Sequence, residues 1–193
     1  MRTELLAPAG DLERAKTAVI YGADAVYLGG QQFSLRARAS NFTLADIGEI
    51  VAFAHERSRK IYVTVNMIPH NGDFEGLEDY LGELEARGVD GIICASRAIM
   101  EICRKTAPEL AVHISTQQTT TNSAAARYWQ TAGADRLVLA REVDLADIRQ
   151  ISEQTDMELE VFIHGGMCAG YSGRCTISNL LTNRDANRGG CAQ

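Results

Sequence analysis

Three cysteines near the end of the chain, Cys168, Cys175 and Cys191, stand among glycine, serine, arginine and asparagine instead of apolar neighbours. Thiolates bind soft metals and iron-sulfur clusters, and a cluster takes about four of them, converging from flexible and often glycine-rich backbone. This stretch is one short of four. Its spacings, seven residues and then sixteen, are too irregular for a zinc ribbon or knuckle, whose paired cysteines sit about two to four residues apart. His164 precedes Cys168 by four residues and makes the one Cys/His pair that could serve nucleophilic chemistry. Neither a His-Glu-x-x-His run nor a Gly-x-Ser-x-Gly elbow occurs. Cys94, inside the apolar run Gly91-Ile-Ile-Cys-Ala95, and Cys103, on the apolar face of a helical pattern, read as small buried hydrophobes.

Whatever these residues do, a regular scaffold must position them. Strand-like apolar runs fall at Glu4–Ala9, Ala25–Gly29, Ile61–Asn66, Gly91–Ala95, Ala111–Ser115, Arg136–Ala140 and Leu159–His164. Between them apolar residues recur at helical spacing, as in Ile47, Ile50, Val51 and Ala54, and Asp11 and Thr43 stand where helix N-caps belong. Alternating strands and helices with nearly continuous apolar strands predict a parallel sheet covered by helices. A short motif repeats: Gly22-Ala-Asp24, Gly88-Val-Asp90 and Gly133-Ala-Asp135 each end a helical pattern and lead into a strand. The strand spacing matches that of a (β/α)8 barrel, which takes roughly 250 residues. The first strand runs into Pro8-Ala-Gly-Asp11 and not into Gly-x-Gly-x-x-Gly, which argues against a dinucleotide-binding sheet. The predicted fold is therefore an α/β, TIM-barrel-like (β/α)8 architecture that stops after about seven strands.

In such a barrel the reactive groups gather on the loops after the strands. That rule selects Arg36 and Arg38 after the second strand, Asn66 after the third, Ser115 and Gln117 after the fifth, Arg141 and Glu142 after the sixth, and His164 with Cys168 after the seventh. His164, Glu142 and Gln117 are the candidates for catalytic roles. Arg36, Arg38, Asn66, Ser115 and Arg141 are the candidates for binding substrate.

Composition bounds the reading. The chain has 193 residues, 46% hydrophobic and 23% charged, as expected of an ordinary globular domain with one core. It has no apolar run of about 18 residues and no signal-peptide pattern at its start, so a cytoplasmic protein without membrane attachment is expected. Five cysteines, an odd number, fit a reducing compartment. A net charge of -6 gives no general attraction to nucleic acid or to anionic membrane, although Arg174, Arg184 and Arg188 against Asp185 make the last stretch locally basic.

The run Glu160-x-Phe162-x-x-Gly165-Gly166-Met167-Cys168-x-x-x-x-Gly173-x-Cys175-x-Ile177-Ser178 resembles the signature of the collagenase-like peptidase family U-32. Gly166 stands where that family usually has Ser or Ala. Leu5-Leu-Ala-Pro-Ala-Gly-Asp11, Gly22-Ala-Asp-Ala-Val-Tyr27, Leu35-Arg-Ala-Arg-Ala39, Ser115-Thr-Gln117 and Asp185-Ala-Asn-Arg188 resemble the same family, so the likeness spans the chain. It implies an incomplete β/α barrel over 1–165 and, over 166–193, a cysteine-, glycine- and arginine-rich tail of the same domain. It also implies two activities. One is peptide hydrolysis. The other is iron-sulfur-dependent, oxygen-independent hydroxylation of RNA bases or quinone precursors, including the tRNA wobble uridine with prephenate as hydroxyl donor. In the second case Cys168, Cys175 and Cys191 would hold three irons of a 4Fe-4S cluster whose fourth ligand is missing from this chain. Arg36, Arg38 and Arg141 would clamp the donor's carboxylates, since a guanidinium fork matches a carboxylate. The partners expected are thus tRNA or a peptide. A truncated barrel with open parallel edges could also be an inactive fragment, a partner subunit or a homo-oligomer.

Overall fold

The computed structural model describes residues 3–35, 41–165, 168 and 170–192. Seven parallel strands, β1 (Leu6–Pro8), β2 (Ala25–Gly29), β3 (Lys60–Val65), β4 (Gly91–Cys94), β5 (Ala111–Ile114), β6 (Arg136–Val138) and β7 (Glu158–Glu160), lie side by side in sequence order. Each of the first six is followed by a helix, α1 (Leu12–Ile20), α2 (Leu44–His55), α3 (Leu77–Ala86), α4 (Arg97–Thr106), α5 (Ser123–Ala132) and α6 (Leu145–Gln154), and β7 leads into the tail with the short α7 (Ile177–Thr182). Among the described residues β1 and β7 do not pair with each other, so the strands make a half-barrel open between its two edges. The expected strand after Leu159 is shorter than predicted. β6 ends at Val138, Leu139 N–H still reaches Glu160 O, and beyond it residues 161–164 pair with no strand among the described residues.

Strand alternation divides the apolar side chains between two faces. Val26, Leu28, Ile61, Val63 and Ile92 point outward and are fully buried against helix residues such as Ile47, Ile50, Leu81, Leu84 and Ile99, forming the main core. Ala25, Tyr62, Ile93 and Val138 face the concave side with Leu6 and Tyr27. The predicted caps hold: Asp11 accepts from Arg14 N–H, and Thr43 and Asp46 form a reciprocal capping box at the start of α2.

The Gly-x-Asp repeat proves to be a seam at the N-terminal ends of the strands. Gly22, Gly88 and Gly133 all have positive φ (105°, 76° and 92°), a conformation glycine adopts without a Cβ penalty. The aspartate that follows accepts a backbone N–H from the preceding strand: Asp24 from Leu5, Asp90 from Ile61 and Asp135 from Val112, at 3.0, 2.7 and 2.7 Å. A basic side chain meets each carboxylate, Arg59 at Asp24, His55 at Asp90 and Arg104 at Asp135. Inside the same end, Arg136 reaches Glu4 at 2.6 Å, Glu158 at 2.8 Å and Glu160 at 3.8 Å. Tyr62 lies under this guanidinium and packs edge-on against the buried His113.

Candidate active site

The loop after β5 starts with Ser115, which caps a single 3-10 turn, Thr116–Gln118. Its buried hydroxyl donates to Gln117 Oε1 at 3.1 Å, while Gln117 Nε2 is buried without a partner among the described residues. After β6, Arg141 and Glu142 turn toward the tail. The Arg141 guanidinium donates to the carbonyls of Cys168 (3.3 Å) and Gly170 (2.9 Å) and, through Nε, to the Ser172 hydroxyl (3.2 Å). Glu142 accepts the Ser172 N–H at 2.9 Å. Desolvation pushes the Glu142 carboxyl up, but its bonds from Ser172 and the charge of Arg141 outweigh this and hold it below the usual range. Arg141 and Glu142 thus grip both ends of the segment between Cys168 and Ser172.

This grip brings two thiols together. A Cβ added to Gly170 would lie 3.0 Å from the Cys175 sulfur and 3.6 Å from the Cys168 sulfur, so both sulfurs border one point that glycine leaves vacant. It would also sit 2.8 Å from the Cys175 Cβ, closer than side chains tolerate, and only glycine fits here. Cys168 is exposed and Cys175 half-buried, whereas Cys94 and Cys103 are buried in the core, where desolvation pushes their thiols up to about 12 and about 11. The third tail cysteine follows a turn back: Ala192 N–H donates to Ser178 Oγ, bringing the residue beside Cys191 to the first turn of α7. Among the described residues no three Cys, His, Asp or Glu side chains form a metal-holding group. Cys168 and Cys175 fit two adjacent ligands of a cluster, and Cys191 does not complete a set with them.

From the thiol pair the tail lies across the loops after the strands. Gly173, at φ 69°, rests on the Gln117 carbonyl so closely that a Cβ would overlap it. Thr119 donates to the Ser172 carbonyl at 2.7 Å and accepts from Arg174 Nε. Farther on, Gly189 packs on the Leu35 carbonyl, Asn187 O accepts Ile68 N–H, and Arg188 forms a two-toothed ion pair with Asp73. Asn66 Oδ1 accepts Leu35 N–H at 3.1 Å and so fixes the β2 loop beside this contact. His164 is exposed on the stretch after β7, and no bond links it to Cys168 among the described residues; the Cys168 thiol faces Gly170 O instead. Arg36 and Arg38 lie outside the described residues.

Two groups of residues escape the sequence reading. Ser172, buried and bonded to Arg141, Glu142 and Thr119, occupies one of the unspecified positions between Cys168 and Gly173, and nothing in its spacing marks it. The charged cluster at the other end does carry a signal: Glu158 and Glu160 alternate on one strand and face the Arg136 that opens its neighbour.

The family model described as Peptidase family U32 matches residues 10–193. A tRNA hydroxylation protein P1 of Bacillus subtilis (strain 168) is 54% identical over 192 residues, covering 100% of this chain and 46% of the relative. A 23S rRNA 5-hydroxycytidine C2501 synthase of Escherichia coli (strain K12) is 43% identical over 192 residues, covering 100% of this chain and 29% of the relative. The chain therefore spans less than half the length of either. Among solved structures, the U32 peptidase Mk0906 superposes with a TM-score of 0.69 at 16% identity, over 83% of this chain and 68% of the other, a likeness of fold.

Proposed function

The chain belongs to peptidase family U32, and from that premise we propose that it is the thiol-bearing barrel part of an RNA base hydroxylase acting on tRNA in the cytoplasm. The observation that carries this reading is the loop gripped by Arg141 and Glu142, which presents Cys168 and Cys175 side by side over the strand ends. In this reading Cys168 and Cys175 would supply two adjacent ligands of a 4Fe-4S cluster, which takes about four thiolates, and Cys191 could join them only if the tail moved. Bound there, the cluster would supply one-electron redox chemistry. Arg141 and Glu142 act as positioning residues, because their polar atoms are engaged by the loop. Clamping the carboxylates of a donor such as prephenate falls to Arg36 and Arg38. Gln117 and Ser115 order the floor on which Gly173 rests, and His164 is exposed on the stretch that leads to the loop.

Peptide hydrolysis finds less support. Ser115 gives its hydroxyl to Gln117 and not to a base, and His164 is not bonded to Cys168. The test is nucleoside mass spectrometry of tRNA from a bacterial host that lacks its own tRNA hydroxylation proteins and expresses the protein containing this chain. Restored 5-hydroxyuridine, lost again with Cys168→Ala and Cys175→Ala together, is the expected result. Unmodified uridine with the unaltered protein would overturn the reading.

A further inference from the structure

A cavity of about 330 Å³ opens between the loops after β2 and β3. Its size is at the small end for sites that take a small molecule, about 300–1,000 Å³. Phe33, Met67 and the exposed amides of Gln31 and Gln32 line it, and the Asp73–Arg188 ion pair closes the side toward the tail. Phe33 holds φ 58°, the left-handed region that bulky side chains rarely enter, and strain of this kind persists where the surroundings over-determine it. The surroundings are on hand: Phe33 O accepts Met67 N–H, and its ring lies 5.3 Å from that of Tyr80. The result is a half-buried aromatic residue held at the wall of a cavity that also offers two primary amides.

Charge says what this cavity does not take. Among the described residues, Asp73 and Glu75 face it against one guanidinium, which Asp73 already pairs, so this lining favours neither phosphates nor dicarboxylates. A neutral planar ring meets the opposite: aromatic and thioether surface to lie on, and carboxamides whose adjacent donor and acceptor match the donor-acceptor edge of a base. Enzymes that modify a base take it out of the stack into such a pocket. We propose that this cavity receives an unstacked pyrimidine of the RNA, with Phe33 as the stacking surface and Gln31 and Gln32 reading the ring edge. The inference rests on the RNA hydroxylation reading and adds to it the place where the base sits.

The test uses protein labelled with carbon-13 in its methionine methyl groups, titrated in turn with uridine, inorganic phosphate and malonate. Uridine should move the Met67 methyl resonance, identified by its loss in Met67→Leu, while phosphate and malonate leave it in place. Phe33→Ala should weaken uridine binding by about tenfold, in keeping with the usual worth of base–aromatic stacking. Should Phe33→Ala fail to fold, Gln31→Ala with Gln32→Ala alters two exposed side chains and should weaken it severalfold. A Met67 signal that ignores uridine or follows malonate equally, or variants that bind uridine unchanged, would overturn the proposal. A silent Met67 beside restored tRNA hydroxylation removes the pocket and leaves the function; uridine binding here without any hydroxylation does the reverse.

Discussion

The two ends of the half-barrel are built by different rules. At the N-terminal ends of the strands one device recurs three times, a left-handed glycine followed by an aspartate that ties two strands and meets a basic side chain. At the C-terminal ends the contacts among the described residues are of several kinds: Arg141 on the Cys168–Gly170 segment, the left-handed Gly173 and Gly189 on the Gln117 and Leu35 carbonyls, and Arg188 on Asp73. Repetition marks a scaffold, because the same problem of turning from helix to strand arises in every unit. Singular contacts that join residues more than fifty positions apart, such as Thr119 with Ser172, mark a surface assembled for one purpose.

Breaking the scaffold end should cost most. The buried Arg136 faces three carboxylates, and Arg136→Ala would leave the half-buried Glu160 beside Glu4 without a cation, at a cost of about 3–5 kcal/mol in denaturant unfolding. The two ends separate more sharply with one substitution made twice. Gly173→Ala should cost about 2–3 kcal/mol and free the tail to proteolysis, since its Cβ meets the Gln117 backbone. Gly133→Ala, also at positive φ but with open space around it, should cost about 1 kcal/mol, all of it backbone strain, and leave the tail protected.

Between these in size lies a pH effect confined to the scaffold end. Burial pushes Glu160 up to about 7, against the pull of Arg136, with Glu4 adding to the rise. Burial, with Arg136 and Lys60 nearby, pushes His113 down to about 3. For Glu160 the folded state binds the extra proton, so its contribution is full below 4.5 and is lost as pH rises toward 7. For His113 the unfolded state binds the extra proton, so its contribution is full above 6.5 and is lost as pH falls toward 3. The two slopes oppose each other between pH 4.5 and 6.5 and should largely cancel. Glu160→Gln should then leave stability rising with pH in this window, and His113→Gln should leave it falling. Each slope is at most about 1.4 kcal/mol per pH unit, and parallel flat profiles in both variants would contradict the assignment.

The scaffold was legible because its signals are local and periodic. The seven strands, the caps at Asp11 and Thr43 and the Gly-x-Asp turns all follow from spacing within a few residues. The loop positions of Asn66, Ser115, Gln117, Arg141 and Glu142 follow from the barrel rule. What those side chains touch does not follow, since Arg141 and Glu142 find their partners about thirty residues away at Ser172. The left-handed Phe33 gave no sign either, because the sequence has neither glycine nor asparagine at that turn.

The central claim is that the loop held by Arg141 and Glu142 is a cluster site. It is tested most directly by iron and acid-labile sulfide content, with a visible spectrum, on the protein containing this chain, purified without oxygen. The account predicts bound iron and sulfide, lost in Cys168→Ala with Cys175→Ala and reduced in Arg141→Ala, whose fold should remain intact. Protein that carries no iron or sulfide, or keeps both after the two cysteines are removed, would contradict it.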